Sequence, residues 1–386
     1  MTDTILTTHV GSLPRPPLLA ERLLTGGGSE DGKVPPFGKL VAAAVTDVVR
    51  QQIDVGLDVV NDGEMGRTSY THYVADRLTG LVAGAIGQGR GPAKPPRDMG
   101  DHPDVAAAQA GGRGTARGLL APLICEGIVA YGDTEPVKRD IANLTAASTE
   151  TGRKLFLSSA SPGTLAHFVR NRHYATEDEF VAALADAMQT EYEAIFRAGI
   201  IVQIDCPDLA MIRHMGHQDS SDADFIRIAE RNVEALNHAT RNIPCSAMRM
   251  HVCWGNYPGP HTHDFPVAKL IPTLMRARPA AILFEGANPR HEHEWEDWAA
   301  ASIPDDKILI PGVIDTTTNL VEHPRLVAQR LERYCGIVGP ERVMAATDCG
   351  FGTVAGRDVV VPSVVAAKLR VLVEGAEIAR SQVGRV

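Results

Sequence analysis

Short apolar runs alternate with amphipathic stretches along most of the chain. The runs are "TILTTHVGS" (4–12), "DVVND" (58–62), "LFLSSASP" (155–162), "IIVQID" (200–205), "AMRMHVC" (247–253), "AILFEG" (281–286), "ILIPGVID" (308–315) and "VMAATDCG" (343–350). Each has the length and apolar density of a strand. Between them lie helical patterns such as "LVAAAVTDVVRQQIDVG" (40–56) and "EFVAALADAMQTEYEAIFRAG" (179–199), each closing on glycine, as helices often do. Strands alternating with helices in this way predict a (β/α)8 TIM barrel. A doubly wound open sheet satisfies the same periodicity and is the alternative.

Two segments break the rhythm. "LLTGGGSEDGKVPP" (23–36) reads as a glycine-rich loop. "GQGRGPAKPPRDMGDHPDVAAAQAGGRGTARG" (87–118) reads as a loop excursion after the second strand, so an insertion over about 70–150 is expected in a single domain spanning 1–386. Its "GQGRG" follows no strand and opens no clear helix, which argues against a dinucleotide loop.

Composition narrows the function classes. The chain has 386 residues, 44% apolar and 22% charged, with a net charge of −9, which is ordinary for a globular protein. An acidic balance does not suit nucleic acid or an anionic membrane, and no apolar run is long enough to span a bilayer. The opening "MTDTILTTHVGSLPRP" reads as a first strand rather than a signal peptide. Six scattered cysteines do not resemble a secreted disulfide framework. A cytoplasmic protein is expected; oligomeric state is left open, a homo-oligomer included.

The chemistry gathers at the strand ends. Ser12, Asp62, Glu64, Asp205, Cys206, His251, Cys253, Glu285, Asp315, Asp348 and Cys349 all fall where a strand meets its following loop, the rim on which barrel active sites are built. Strand periodicity places His251 and Cys253 on one face. Glu285 ends the sixth strand and Cys349 the eighth, so these side chains can converge as nitrogen, oxygen and two sulfurs, a tetrahedral Zn2+ set. "HTH" (261–263) and "HEHE" (291–294) are a rival metal source that reads as solvated loop. Cys125, Cys245 and Cys335 read as small buried or loop residues. Arg15 and Arg67 read as surface charges, with anion binding as the other possibility.

At these residues the sequence resembles the cobalamin-independent methionine synthase family, in its C-terminal zinc barrel. The resemblance is carried by "HVGSLPRP" (9–16), "DGEMGR" (62–67), "VQIDCP" (202–207), "HVCW" (251–254), "FEGAN" (284–288) and "TDCG" (347–350), in that order over nearly the whole chain. It implies zinc-dependent alkyl transfer to a thiol, with His251, Cys253, Glu285 and Cys349 as zinc ligands. It also implies that Ser12, Glu64 and Asp205 contact the thiol substrate, the serine region holding a carboxylate and the two acids an ammonium. Glu285 would be the ligand that an incoming thiol displaces. Zinc removes the thiol proton and leaves a sulfur lone pair free to attack.

Two positions depart from the pattern. The family's seventh strand ends in Asp-x-His, where this chain has Asp315-Thr316-Thr317. The glutamate after the fourth-strand aspartate is here Cys206. Asp315 and Cys206 therefore stand as the catalytic candidates, Asp315 being able to deliver a proton only if burial raises its pKa. "SSASPG" (158–163) and "TNLVEHP" (318–324) resemble a short single-barrel branch that includes epoxyalkane:coenzyme M transferase. The leading expectation is methyl transfer to a homocysteine-like amino thiol. A coenzyme M-type addition to an epoxide, and a uroporphyrinogen-decarboxylase-like barrel without catalytic zinc, are the alternatives. The alkyl donor is left open: a methyl-folate, a methylated corrinoid protein, an epoxide or a methylated small molecule.

Overall fold

The computed structural model describes residues 5–25, 35–85, 96–111, 120–149 and 151–383. Eight strands form one parallel sheet: β1 (Leu6–Thr7), β2 (Val59–Val60), β3 (Lys154–Ala160), β4 (Ile201–Asp205), β5 (Met248–Val252), β6 (Ala281–Phe284), β7 (Ile308–Ile314) and β8 (Met344–Thr347). β1 pairs with β8. The seam to β2 is drawn shut by the Asp58 amide, which donates to the Thr7 carbonyl at 3.1 Å, and by the Thr8 hydroxyl, which donates to the Val59 carbonyl at 3.2 Å. The sheet therefore returns on itself as a (β/α)8 barrel, and an open doubly wound sheet is excluded.

Eight helices pack outside: α1 (Phe37–Asp54), α2 (Glu135–Ala147), α3 (Glu177–Arg197), α4 (Asp222–Ala239), α5 (Val267–Met275), α6 (Trp295–Ala300), α7 (Pro324–Val338) and α8 (Pro362–Val383). Local chemistry sets their ends. Thr176 accepts the Glu179 amide while Glu179 reaches back to the Thr176 amide, satisfying two otherwise unpaired donors at the start of α3. Gly56 and Gly199 lie at φ +94° and +74° just past α1 and α3, a conformation that glycine adopts without penalty. No described helix is long and apolar enough to cross a membrane.

Strand alternation sorts the core into two layers. Val202, Ile204, Met248, Met250 and Val252 face outward and join the helices' Phe225, Val233 and Leu236 in the main apolar cluster. Burying each such side chain contributes about 1.5–3 kcal/mol. The opposite faces of β4 and β5 are polar. Gln203 lies opposite Arg249 and Asp205 opposite His251 in the register. Val10, Ala281, Leu283, Ile310 and Ala346 make a second, smaller apolar cluster.

After β2 the chain leaves the barrel before returning at α2. Strands Leu81–Ala83 and Leu123–Cys125 pair antiparallel, and Val169–Asn171, from after β3, adds to them in parallel. Between them run the short helices Arg97–Asp101 and Pro103–Gly111. The excursion expected as loop thus carries regular structure, while positions 86–95 and 112–119 of it, and 26–34 of the glycine-rich segment, lie outside the described residues. Asp98, fully buried, anchors the excursion: its carboxylate accepts the Tyr257 hydroxyl at 2.8 Å and the His261 amide at 2.7 Å.

Candidate active site

His251 ends the inward face of β5 and Cys253 follows it by two residues, so one strand end delivers both. Cys349 arrives from just beyond β8. The ligand atoms of His251, Cys253 and Cys349 all lie within 4.8 Å of one another, and all three residues are buried. The two sulfurs are 3.7 Å apart. Gly350, next to Cys349, lets this strand end pass close to Ser12, because a Cβ there would stand 2.0 Å from Ser12 Oγ.

Glu285 stands beside this group rather than within it. Its Oε1 accepts the Trp254 amide at 2.7 Å and its Oε2 the Asn288 side chain at 2.7 Å, which seats the carboxylate against the residue that follows Cys253. Asp348 sets the loop that carries these partners by accepting the amides of Gly286, Ala287 and Asn288 at 2.8–2.9 Å. Imidazole, two thiols and an adjacent carboxylate are the donor types that Zn2+ takes, so the residues present fit that ion.

His251, Cys253 and Cys349 line the floor of a cavity of about 410 Å³. Ser12, Glu64 and Asp205 share the floor, and Tyr70, Met99, Phe168, Met211, Met215 and Val354 make an apolar wall. Glu64 sits at φ +56°, a left-handed backbone that costs of order 1–3 kcal/mol for a side chain of this kind. Its Oε1 accepts the Ser158 hydroxyl at 2.7 Å and its Oε2 faces Arg15 Nη2 at 3.9 Å. Burial pushes the Glu64 carboxyl up; Arg67 and Arg15 act against the rise, and the neighbouring Asp205 adds to it. Asp205 Oδ1 accepts the Gln203 side-chain amide at 2.8 Å and lies 3.6 Å from His251 Nδ1.

The chain is similar, end to end, to methionine synthases. The curated methionine synthase of Thermococcus kodakarensis is 26% identical over 383 residues, covering 98% of this chain and 94% of the relative. That of Saccharolobus islandicus is 25% identical over 394 residues, covering 98% and 96%. Among solved structures, a B12-independent methionine synthase from Shewanella sp. W3-18-1, in complex with selenomethionine, superposes with a TM-score of 0.72 at 19% identity, covering 99% of this chain and 100% of that one. A putative vitamin-B12-independent methionine synthase from Listeria monocytogenes gives 0.66 at 18% identity over 98% of both chains. These two show that the barrel is of the B12-independent methionine synthase fold. No family model matches the chain.

The two catalytic candidates from the sequence do not reach the cavity. Cys206 is 1% exposed and packs in the outer apolar layer, its thiol donating to the Ile204 carbonyl at 3.5 Å. Strand alternation explains this: Asp205 points in, so its successor points out. Asp315 is turned into its own loop, where Oδ1 accepts the Thr317 amide and hydroxyl at 2.9 and 2.7 Å and Oδ2 the Thr318 hydroxyl at 2.7 Å. The residue after it, Thr316, donates to Asn256, which does line the cavity.

Two further readings are corrected. Arg15 and Arg67 are buried, not surface charges: Arg15 donates to the Gly352 carbonyl, and Arg67 to the Ser158 carbonyl at 2.7 Å. The "HTH" and "HEHE" segments are not mostly solvated either. His261 and His291 close on Asp264 at 2.9 and 3.0 Å, with His214 at 3.7 Å. His291 is 2% exposed and also meets Glu294 at 2.8 Å. Hydrogen bonds to Asp264 and Glu294 outweigh burial, which lowers it, and hold His291 up at about 10. Sequence reasoning missed Ser158, Asn256 and Tyr257 as site-shaping residues. Asn256 and Tyr257 follow directly on the "HVCW" motif that should have pointed to them.

Proposed function

We propose that this chain is a zinc-dependent thiol S-methyltransferase whose acceptor is a homocysteine-like amino thiol. The observation that carries the reading is the convergence of His251, Cys253 and Cys349 on the floor of a cavity that also presents Glu64 and Asp205. His251, Cys253 and Cys349 would hold the zinc, with Glu285 as the exchangeable fourth ligand. Bound there, zinc supplies acidification of the substrate thiol, so that a thiolate is available near neutral pH.

The rest is the work of the chain's own residues. Glu64 and Asp205, both on the floor, are arranged to hold an ammonium, and Ser12 beside them to receive a carboxylate. Paired carboxylates suit an ammonium and repel a sulfonate, which favours an amino thiol over a coenzyme M-type acceptor. The apolar wall formed by Met99, Met211, Met215, Phe168 and Val354 excludes water from the reacting carbon and receives the non-transferred part of the donor. No imidazole stands at the seventh strand end, so the donor is one whose leaving group needs no proton from that side. An assay of zinc-loaded protein with homocysteine and a panel of methyl donors tests the reading. Thioether formation that depends on zinc supports it, and a homocysteine that never binds in the presence of zinc overturns it.

A further inference from the structure

The inward faces of β4 and β5 carry a hydrogen-bonded series that starts well below the cavity. Arg249, 2% exposed, is fixed at three points. Its Nε donates to Gln203 Oε1 at 2.8 Å, its Nη1 to the Thr8 hydroxyl at 3.0 Å and its Nη2 to the His9 carbonyl at 3.0 Å. The guanidinium also lies over the Phe156 ring, 3.6 Å from its centre. Gln203 Nε2 in turn donates to the Val10 carbonyl and to Asp205 Oδ1.

The order of these bonds has a direction. A guanidinium has donors only, so the glutamine can meet it only with its oxygen. That turns the amide NH2 toward Asp205. Flipped, the same amide would set its oxygen against a carboxylate. Asp205 Oδ1 is thereby engaged, while Oδ2 accepts no hydrogen bond from the described residues on a side chain that lines the cavity.

We propose that Arg249 is a positioning residue for substrate recognition: by setting the orientation of Gln203 it aims the free oxygen of Asp205 at the substrate ammonium. This rests on the amino-thiol reading given above. Arg249 touches no substrate; its effect passes through Gln203 and Asp205 and is confined to thiols that carry an amino group.

Titration calorimetry of the zinc-loaded full chain tests it, using homocysteine and 4-mercaptobutyrate, which differ only in the amino group. In Arg249→Met and Gln203→Leu, homocysteine affinity should fall about tenfold or more, the scale of one charged hydrogen bond. Affinity for 4-mercaptobutyrate should change less than about threefold. Gln203→Met removes the donor facing Asp205 without adding charge, and should lose the amino preference even if Arg249→Met fails to fold. Arg249→Lys should restore part of the preference. Equal loss for both thiols, or an undiminished preference in the Gln203 variants, overturns the proposal. If Asp205→Asn abolishes a preference that the Gln203 variants keep, this inference alone fails. If the unaltered chain does not distinguish the two thiols, the amino-thiol reading itself fails.

Discussion

Cys253 and Cys349 come from strand ends 96 positions apart in sequence and place their sulfurs 3.7 Å from each other, with both cysteines free. Two thiols next to His251 are the donor types that the proposed zinc would take. Purified protein is expected to carry about one Zn2+ per chain. Cys253→Ser and Cys349→Ser should each lose most of it, as elemental analysis would report. Glu285→Gln should keep the ion through the other three residues. Full metal retention in both cysteine variants would sink the assignment.

Glu64 offers a test of the acceptor. Its carboxylate is held by Ser158 at 2.7 Å on the cavity floor, so Glu64→Gln keeps shape and removes charge. Affinity for homocysteine should fall by about 1.5–3 kcal/mol, the loss expected of a charged contact, and amine-free thiols should be little affected. Binding isotherms for the two thiol classes decide it. Equal effects on both would give Glu64 another role.

The donor can be tested at the seventh strand. Transfer from the tertiary-amine methyl of a methyl-folate needs a proton at the leaving nitrogen. Thr317 cannot deliver one, and the Asp315 oxygens are occupied by Thr317 and Thr318. Methyl-tetrahydrofolates, mono- or polyglutamyl, are therefore expected to be slow or inactive donors with homocysteine. Steady-state turnover of about 1 per second or faster would overturn this.

Stability at low pH has a specific source. Glu191 is fully buried, and although burial raises its carboxyl, Arg77 and Arg67 with hydrogen bonds from Ser159 and Tyr131 more than offset this and hold it at about 2, against an ordinary 4.5. A depressed carboxyl stabilises the fold above its unfolded value and loses that contribution as it is protonated. Unfolding free energy should thus fall as pH drops from 4.5 toward about 2. Denaturant melts should show Glu191→Gln with a flatter acid limb. Glu191→Ala removes the buried partner of Arg77 at 2.9 Å and leaves it Asp140 at 2.6 Å, so it should cost about 3 kcal/mol at neutral pH, the lower end for breaking a buried pair.

Much of this was legible in the sequence because strand periodicity is a local property. Each barrel strand lies inside the apolar run that marks it, save β3, which starts one residue earlier at Lys154, and the titratable strand ends fall on the rim. The same periodicity also held a warning: alternation from Asp205 turns Cys206 outward, and a family position alone misplaces it. Other features depend on partners that no local pattern reveals. The burial of Arg15 and Arg67, and the gathering of His214, His261 and His291 around Asp264, come from segments that meet only in the folded chain. Glu64 in a left-handed conformation is likewise unreadable from "DGEMGR", where glycine on either side looks the more natural bearer of it.

The bond between Asp98 and Tyr257 has a mechanical meaning. The segment after β5 begins at Cys253 and runs within four residues to Tyr257, whose hydroxyl holds the excursion through Asp98. Met99, next to Asp98, is part of the apolar wall of the cavity. The segment that follows Cys253 and the helix that carries Asp98 and Met99 are therefore tied together through Tyr257 and His261. Any displacement of that cavity wall is passed to the few peptide bonds next to Cys253, so wall and floor behave as one mechanical unit rather than two.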